Sequence, residues 1–99
     1  PKQMHHFLTN KHSVYSKQFN QILNRYGLST NGKWNQGLVN HLGKHAEGYH
    51  KYMMEQITNI DKVANGDKEV FLKMFDKVKD YVIQHPEILT REYWKNLAQ

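Results

Sequence analysis

The sequence predicts an α+β domain that is mostly helical, with one small β element near its amino terminus. Three observations support this prediction. Apolar residues recur at spacings of three and four along most of the chain, as they do on the buried face of a helix. Residues 4–8 and residues 28–40 depart from that spacing. The chain has 99 residues, enough for one modest core, so we expect a single domain over residues 1–99.

The amino-terminal part is predicted to hold a strand, a helix and an irregular segment. Residues 4–8 form a short apolar stretch around two histidines and are predicted to be a strand. Residues 13–26 are predicted to be a helix that ends at Gly27, a residue suited to the left-handed conformation after a helix. Residues 28–40 contain two glycines around Lys-Trp-Asn-Gln and predict a turn, a hairpin or a short irregular strand. The apolar positions of the helix predicted over residues 13–26 are Val14, Phe19, Ile22, Leu23 and Tyr26.

A long helix is predicted to begin near residues 41–44 and to run to about residue 64, before Asn65 and Gly66. Gly43 and Gly48 weaken its first turns, because glycine has a low helix propensity. Its apolar stripe consists of Ala46, Tyr49, Met53, Ile57, Ile60 and Val63 or Ala64.

Two further helices are predicted in the carboxy-terminal part. Asp67 can cap a helix over residues 68–84, which Pro86 then stops. Thr90 can cap a last helix over residues 91–97. The apolar residues expected to be buried on the longer of the two are Val70, Phe71, Met74, Phe75, Val78, Tyr81 and Val82.

The composition excludes several kinds of site and segment. There are no cysteines, which excludes a disulfide framework and a thiolate metal site. No run of 18 apolar residues exists, so no membrane-spanning segment and no membrane partner are predicted. We interpret the start at Pro1 as a cut within a longer chain, because candidate functional residues follow it almost at once.

The charge of the chain is concentrated in its first half. The formal net charge is +5; residues 1–50 hold six Lys or Arg and one acid, whereas residues 51–99 hold eight of each sign. Six of the seven histidines also lie in the first half. A basic surface attracts a polyanion because binding releases condensed counterions. The sequence therefore predicts a nucleic-acid contact through residues 1–50.

Histidines dominate the candidate functional residues. His41 and His45 form an i,i+4 pair, and on the predicted helix both imidazoles would share one face and could share a metal ion. Cleavage of a phosphodiester needs a cation to neutralise the phosphate and a base to deprotonate water. Neutral imidazole can serve as a metal ligand or as a general base near neutral pH. The histidine-rich, basic half therefore has the parts for phosphodiester hydrolysis.

The order of these residues carries a resemblance to a known family. An adjacent pair, His5-His6, is followed by Trp34-Asn35 and then by the segment His41-Leu-Gly-Lys-His45-Ala-Glu-Gly-Tyr49-His50. Over about residues 4–60 this order resembles the HNH or ββα-metal (His-Me finger) nucleases. It is most similar to the toxin nucleases of the endonuclease VII-like superfamily, which carry AHH- or WHH-type signatures.

The chain departs from that pattern at four places. Met4 stands where a small or aromatic residue usually precedes the histidine pair, and Ala46 stands where proline often follows the second helix histidine. Gly48 adds one residue before the aromatic position. Two asparagines, Asn31 and Asn35, are candidates for the family's asparagine. We prefer Asn35 because it follows Trp34 and precedes an apolar stretch.

The resemblance implies a role for each residue that matches. His6 would be the general base, and Asn35 would brace the hairpin through side-chain hydrogen bonds to backbone. The implied ligands, for Zn²⁺ or another transition ion with Mg²⁺ as the alternative, are His5, His41 and His45. The side chains expected to contact the nucleic acid are Tyr49, His50, Lys33, Lys44 and Lys51.

The resemblance also implies a function. The chain would be a metal-dependent HNH-type endonuclease that hydrolyses phosphodiester bonds, in DNA rather than RNA. It would be the carboxy-terminal part of a longer antibacterial toxin, delivered from a bacterium into the cytoplasm of a target cell. A cognate immunity protein, expected to be acidic, would neutralise it. Two alternatives remain open from the residues alone: a non-catalytic basic helical module that binds nucleic acid, and a metal-binding interaction domain.

Overall fold

The computed structural model describes residues 2–98, so the interpretation of Pro1 lies outside the described residues. In chain order the strands and α-helices are β1 (Gln3–His6), α1 (Tyr15–Leu23), β2 (Gln36–Val39), α2 (Glu47–Ala64), α3 (Lys68–Gln84) and α4 (Arg91–Leu97). Short 3₁₀ helices lie at Asn24–Tyr26, Lys33–Asn35 and Pro86–Leu89. The predicted α+β architecture, mostly helical with a small early sheet, is thus confirmed. Within residues 2–98, no helix combines the length and the apolar character needed to cross a membrane.

The sheet consists of β1 and β2, paired antiparallel with His5 opposite Gly37 and Met4 opposite Leu38. Side chains alternate between the two faces of a strand, so His5 points inward and is 6% exposed while Met4 points outward and is 57% exposed. Gly37 leaves room for the ring of Phe7, because a Cβ at this position would lie 2.8 Å from that ring. The small sheet thereby turns one histidine of the adjacent pair toward the protein interior.

Helix α2 is the central helix of the core and packs against α1 and α3. Its predicted apolar stripe is confirmed at Met53, Ile57, Ile60 and Ala64, which are all buried. The prediction left Val63 or Ala64 open, and Val63 is exposed. Two other predicted core positions are wrong: Val14 precedes α1 and is 51% exposed, and Tyr81 is 44% exposed.

The predicted ends of the carboxy-terminal helices are confirmed. Asp67 caps α3, its side chain accepting hydrogen bonds from the amides of Glu69 and Val70. Thr90 caps α4 in the same way, through the amide of Tyr93. The 3₁₀ helix Pro86–Leu89, which the sequence analysis did not predict, connects the two.

The predicted boundaries in the first half need correction. Helix α1 begins at Tyr15 rather than at residue 13, and β1 ends at His6 rather than at residue 8. Helix α2 begins at Glu47 and not near residues 41–44, because Ala46 is extended and Gly43 has a φ of +97°. Residues 41–46 are therefore a connection without helix, which we call the histidine loop.

Candidate active site

A cleft of about 540 Å³ opens between β1, the segment that follows it and the histidine loop. The segment between β1 and α1 contributes residues 9–12 to this cleft, and α2 contributes its first turn. Five of the seven histidines line it, namely His5, His6, His12, His45 and His50. This concentration of imidazoles identifies the cleft as the candidate active site.

His5 is the centre of the histidine cluster. Its Nδ1 lies 2.8 Å from Nε2 of His45, and its Nε2 lies 2.7 Å from the carbonyl oxygen of His41. A carbonyl oxygen only accepts, so Nε2 of His5 donates to it. In neutral His5 the other nitrogen, Nδ1, then accepts from Nε2–H of His45. The two hydrogen bonds set the tautomers of both rings.

The histidine loop brings His41 and His45 together without a helix. Their ring centroids are 6.0 Å apart, and they lie 5.5 and 4.9 Å from the ring of His5. The prediction that these three residues meet is thus supported, whereas the proposed reason, one shared helix face, is wrong. Both histidines precede Glu47, where α2 begins, so the tertiary fold brings them together.

His45 is held in its neutral form. Burial lowers its pKa to about 3, and the nearby histidines His5, His50, His41 and His6 add to this effect. An imidazole binds a metal ion only when it is deprotonated, so burial keeps His45 in the form that coordination requires.

The donor set suits a transition-metal ion. Two imidazole nitrogens on a tetrahedral Zn²⁺ lie about 3.3 Å apart, given bonds of about 2.0–2.1 Å. The nitrogens of His5 and His45 are 2.8 Å apart, at hydrogen-bond distance, so an ion shared by both would take the place of the proton between them and move the two rings slightly apart. The ring of His41 is turned differently, with Nε2 3.4 Å from the Lys44 carbonyl, and among residues 2–98 no three side chains form a complete metal site.

Asn35 is completely buried, and its side chain makes three hydrogen bonds to backbone. Its Oδ1 accepts from the amide of Leu8 at 2.8 Å, and its Nδ2 donates to the carbonyls of Leu8 at 2.7 Å and Thr30 at 2.8 Å. The Asn35 carbonyl also accepts from the amide of Phe7. This is the bracing position that the resemblance implies. Asn31, the other candidate, is exposed and contacts Asn10.

His6 also lines the cleft and is partly exposed. Its Nε2 is 3.4 Å from the Nδ2 group of Asn10, which also donates to Oδ1 of Asn31 at 3.1 Å. Burial lowers the pKa of His6, and the charge of Lys11 lowers it further. Because an amide N–H faces it, Nε2 of His6 carries a lone pair, as a general base requires.

Tyr49 does not contact solvent, which corrects the expectation that it orients phosphate. It is fully buried, and its hydroxyl donates to the carbonyl of Phe7 at 2.7 Å. Tyr49 therefore ties the first turn of α2 to the end of β1. His50, the other residue expected to orient phosphate, lines the cleft but is only 6% exposed. Its pKa is lowered by burial and by His12, and its Nδ1 is buried without a partner.

Asn10 and His12 also line the cleft and were not among the residues expected from the sequence. The side chain of His12 lies against the start of α1, where its Nδ1 accepts from the amides of Val14 and Tyr15 at 3.1 and 3.2 Å. Its Nε2 lies 3.6 Å from the Glu47 carboxylate, so it also links the starts of α1 and α2. The detectable signal was the run of polar residues between the predicted strand and the predicted helix.

The lysines expected to contact the nucleic acid lie in different places. Lys44 lines the cleft, together with Lys11, which the sequence analysis did not single out. Lys51 lines a separate groove with Tyr15, between α1 and α2. Lys33 is exposed on the 3₁₀ helix before β2 and does not line the cleft. Of the three predicted lysines, the structure brings one to the histidines.

The small antiparallel sheet, the buried bracing asparagine and the histidines gathered before α2 define a domain of the ββα type. Residues 1–82 match the AHH family, described as a nuclease family of the HNH/ENDO VII superfamily with a conserved AHH motif. The chain therefore belongs to the AHH nuclease family. Its adjacent histidine pair, His5-His6, is preceded by Met4 rather than by alanine. Nucleases of this superfamily generally use a divalent metal ion. Comparisons with curated proteins and with solved structures gave no match.

Proposed function

We propose that the chain is a metal-dependent endonuclease that hydrolyses phosphodiester bonds, with DNA as the preferred substrate. One observation carries this proposal: the facing nitrogens of His5 and His45, 2.8 Å apart, share a cleft with His6. Two neutral imidazoles can hold a cation, and a third can take a proton from water. Phosphodiester hydrolysis needs both functions in one place.

The ion site is assigned to His5, His45 and, after rotation of its side chain, His41. A bound divalent ion would neutralise charge on the scissile phosphate and on the leaving oxygen. The His41 carbonyl orients the ring of His5 by accepting its Nε2–H, which directs Nδ1 toward His45. Such outer contacts determine which nitrogen is available to a ligand.

The general base is assigned to His6. Its lowered pKa keeps the ring neutral at pH 7, so Nε2 is able to accept a proton from an attacking water. The contact with Asn10 is long at 3.4 Å, so a water molecule can take its place without the loss of a strong hydrogen bond. Asn10 remains anchored by Asn31 when this happens.

The sides of the cleft supply positive charge for the substrate. Lys11 and Lys44 line it, and the half of the chain that contains them carries the excess of basic residues. His50 lies in the same wall and is the remaining candidate for a contact to phosphate. Lys33 and Lys51 are assigned to more distant contacts along the backbone of the nucleic acid.

We further propose that the domain acts as an antibacterial toxin in the cytoplasm of a target cell, after delivery from a bacterium. Membership in the AHH family and the basic first half support this role. An acidic immunity protein would bind the same basic surface and exclude the nucleic acid. Expression in bacterial cells should then arrest growth, and the His45→Ala variant should not.

Cleavage of plasmid DNA and of a structured RNA by the purified protein tests the proposed activity. Mg²⁺, Mn²⁺, Zn²⁺ and Ni²⁺ are supplied singly, each with and without chelator. The expected result is nicking of DNA that the chelator abolishes and that His6→Ala loses. Absence of cleavage of both substrates with all four ions would reject the enzyme and favour a non-catalytic basic module.

A further inference from the structure

We propose that the carboxy-terminal segment, residues 86–97, positions the histidine loop, with Leu89 and Trp94 as the positioning residues. This inference rests on the proposed function, because it concerns the geometry of the imidazoles assigned to the ion. The segment lies outside residues 1–82, the part of the chain that matches the nuclease family.

The histidine loop has little regular structure of its own. The side chain of Ala46 cannot cap α2, so the helix begins without a side-chain cap. The amide of Ala46 donates to the carbonyl of Leu89 at 3.0 Å, a contact between residues far apart in the chain. Leu89 is buried, 1% exposed. This hydrogen bond attaches the residue that follows His45 to the core.

Trp94 holds Leu89 and α2 together. Its Nε1–H donates to the carbonyl of Ile88 at 2.6 Å, next to Leu89. Its ring lies directly on Gly48 in the first turn of α2, where a Cβ would overlap the ring atoms. The ring of Tyr52, one helical turn further, is 5.9 Å from that of Trp94. The glycine that weakens the helix is therefore the position at which α4 docks.

The loop end is consequently held from two sides. On one side, Tyr49 donates to the Phe7 carbonyl and fixes α2 to β1. On the other side, Leu89 and Trp94 fix Ala46 and Gly48. His45 lies between these attachments, and its Nε2 must reach the Nδ1 of His5. A shift of Ala46 would separate the two nitrogens while leaving the core residues of α2 and α3 in place.

The test uses the full chain and compares Gly48→Ala, Trp94→Phe, Trp94→Ala and the double variant Gly48→Ala/Trp94→Ala. Two readouts need no metal: the exchange rate of the Ala46 amide, and the imidazole NMR signals of His45. Zn²⁺ affinity is measured by calorimetry, and kcat and KM are measured on plasmid DNA. Val78→Ala on α3 is the matched control, since Val78 is a buried core residue outside the cleft.

Gly48→Ala should speed exchange of the Ala46 amide, shift the His45 signals and weaken Zn²⁺ binding by about 10–100-fold. It should lower kcat more than it changes KM. In the Trp94→Ala background the same substitution should add little, because the ring it would overlap is gone. Trp94→Phe, which keeps most of the packing but loses the N–H donor, should give a smaller change than Trp94→Ala.

Wild-type exchange and wild-type His45 signals in Gly48→Ala would overturn the inference. So would equal effects from Val78→Ala, since these would show a general loosening of the fold. If even the unsubstituted chain neither binds Zn²⁺ nor cuts nucleic acid, the proposed function fails. The two metal-free readouts then still decide whether the carboxy-terminal segment positions the loop.

Discussion

The Nε2 of His45 lies 2.8 Å from the Nδ1 of His5, although 40 positions separate the two residues in the chain. The contact joins the histidine loop to β1, and the remaining nitrogen of His5 is engaged by the His41 carbonyl. Both rings are thus oriented by hydrogen bonds before any ion binds. Preorganised ligands lose less conformational freedom when they coordinate a metal ion.

We predict that the cleft histidines separate by role. His6→Ala should lower kcat by about 10²–10⁴-fold while metal affinity persists, because a general base contacts water and not the ion. His45→Ala should lower both metal affinity and kcat, since removal of one imidazole ligand weakens the metal site. Calorimetric metal titration beside plasmid cleavage measures the two effects. His85→Ala is the control, because His85 lies outside the cleft. Full activity in His45→Ala would contradict the assignment of the ion site.

Asn35→Ala should destabilise the fold rather than remove a ligand. The substitution deletes three side-chain hydrogen bonds at a completely buried position. At about 1 kcal/mol for each, we expect the free energy of unfolding to fall by about 3 kcal/mol. Urea denaturation of the metal-free protein measures this change. Asn31→Ala is the matched control, because it removes only the contact with Asn10 and should cost little. An equal effect of the two substitutions would be inconsistent with a bracing role for Asn35.

Neutralising the lysines of the cleft should lower the affinity for nucleic acid. It should also make that affinity less dependent on salt concentration. Lys11→Gln and Lys44→Gln should each reduce the slope of log affinity against log salt by roughly one unit if both contact phosphate. Lys73, which is exposed on α3, is the suitable control. Lys79 is not, because its Nζ donates to the Trp34 carbonyl at 2.8 Å and its loss would affect the fold. Equal effects of Lys73→Gln and Lys44→Gln would show that the cleft is not the binding surface.

The stability of the metal-free protein should fall as the pH decreases from about 6.5 toward 3. Burial lowers the pKa of His45 to about 3 in the folded protein, whereas the unfolded chain titrates near 6.5. Between these values the unfolded chain binds a proton that the folded chain does not, so acid favours unfolding. Above pH 6.5 the contribution is fully present.

Denaturation in urea at a series of pH values, with chelator present, measures this dependence. His45→Gln should reduce the pH dependence of the free energy of unfolding without abolishing it, because the pKa values of His6 and His50 are also lowered. An unchanged pH dependence in His45→Gln would contradict the effect of burial. His85→Gln, outside the cleft, is the control.

By itself, the sequence determined the helices whose ends are set by local chemistry. Asp67 and Thr90 cap α3 and α4, and Asn65 ends α2 in the left-handed conformation, because these signals act over a few residues. The adjacent histidine pair and the asparagine beside Trp34 were likewise recognisable as candidates, since the nuclease pattern lies in their order along the chain. Local spacing was sufficient for these conclusions.

Tertiary structure alone decided how the site is assembled. The spacing of His41 and His45 suggested one helix face, yet both lie in a loop whose end is attached to Leu89. Tyr49 fits the period of a helix face whether it contacts substrate or is buried. Only its burial and its hydrogen bond to the Phe7 carbonyl distinguish the two. Periodicity describes which residues share an element, but not which distant element they face. The position of a functional side chain depends on those distant contacts.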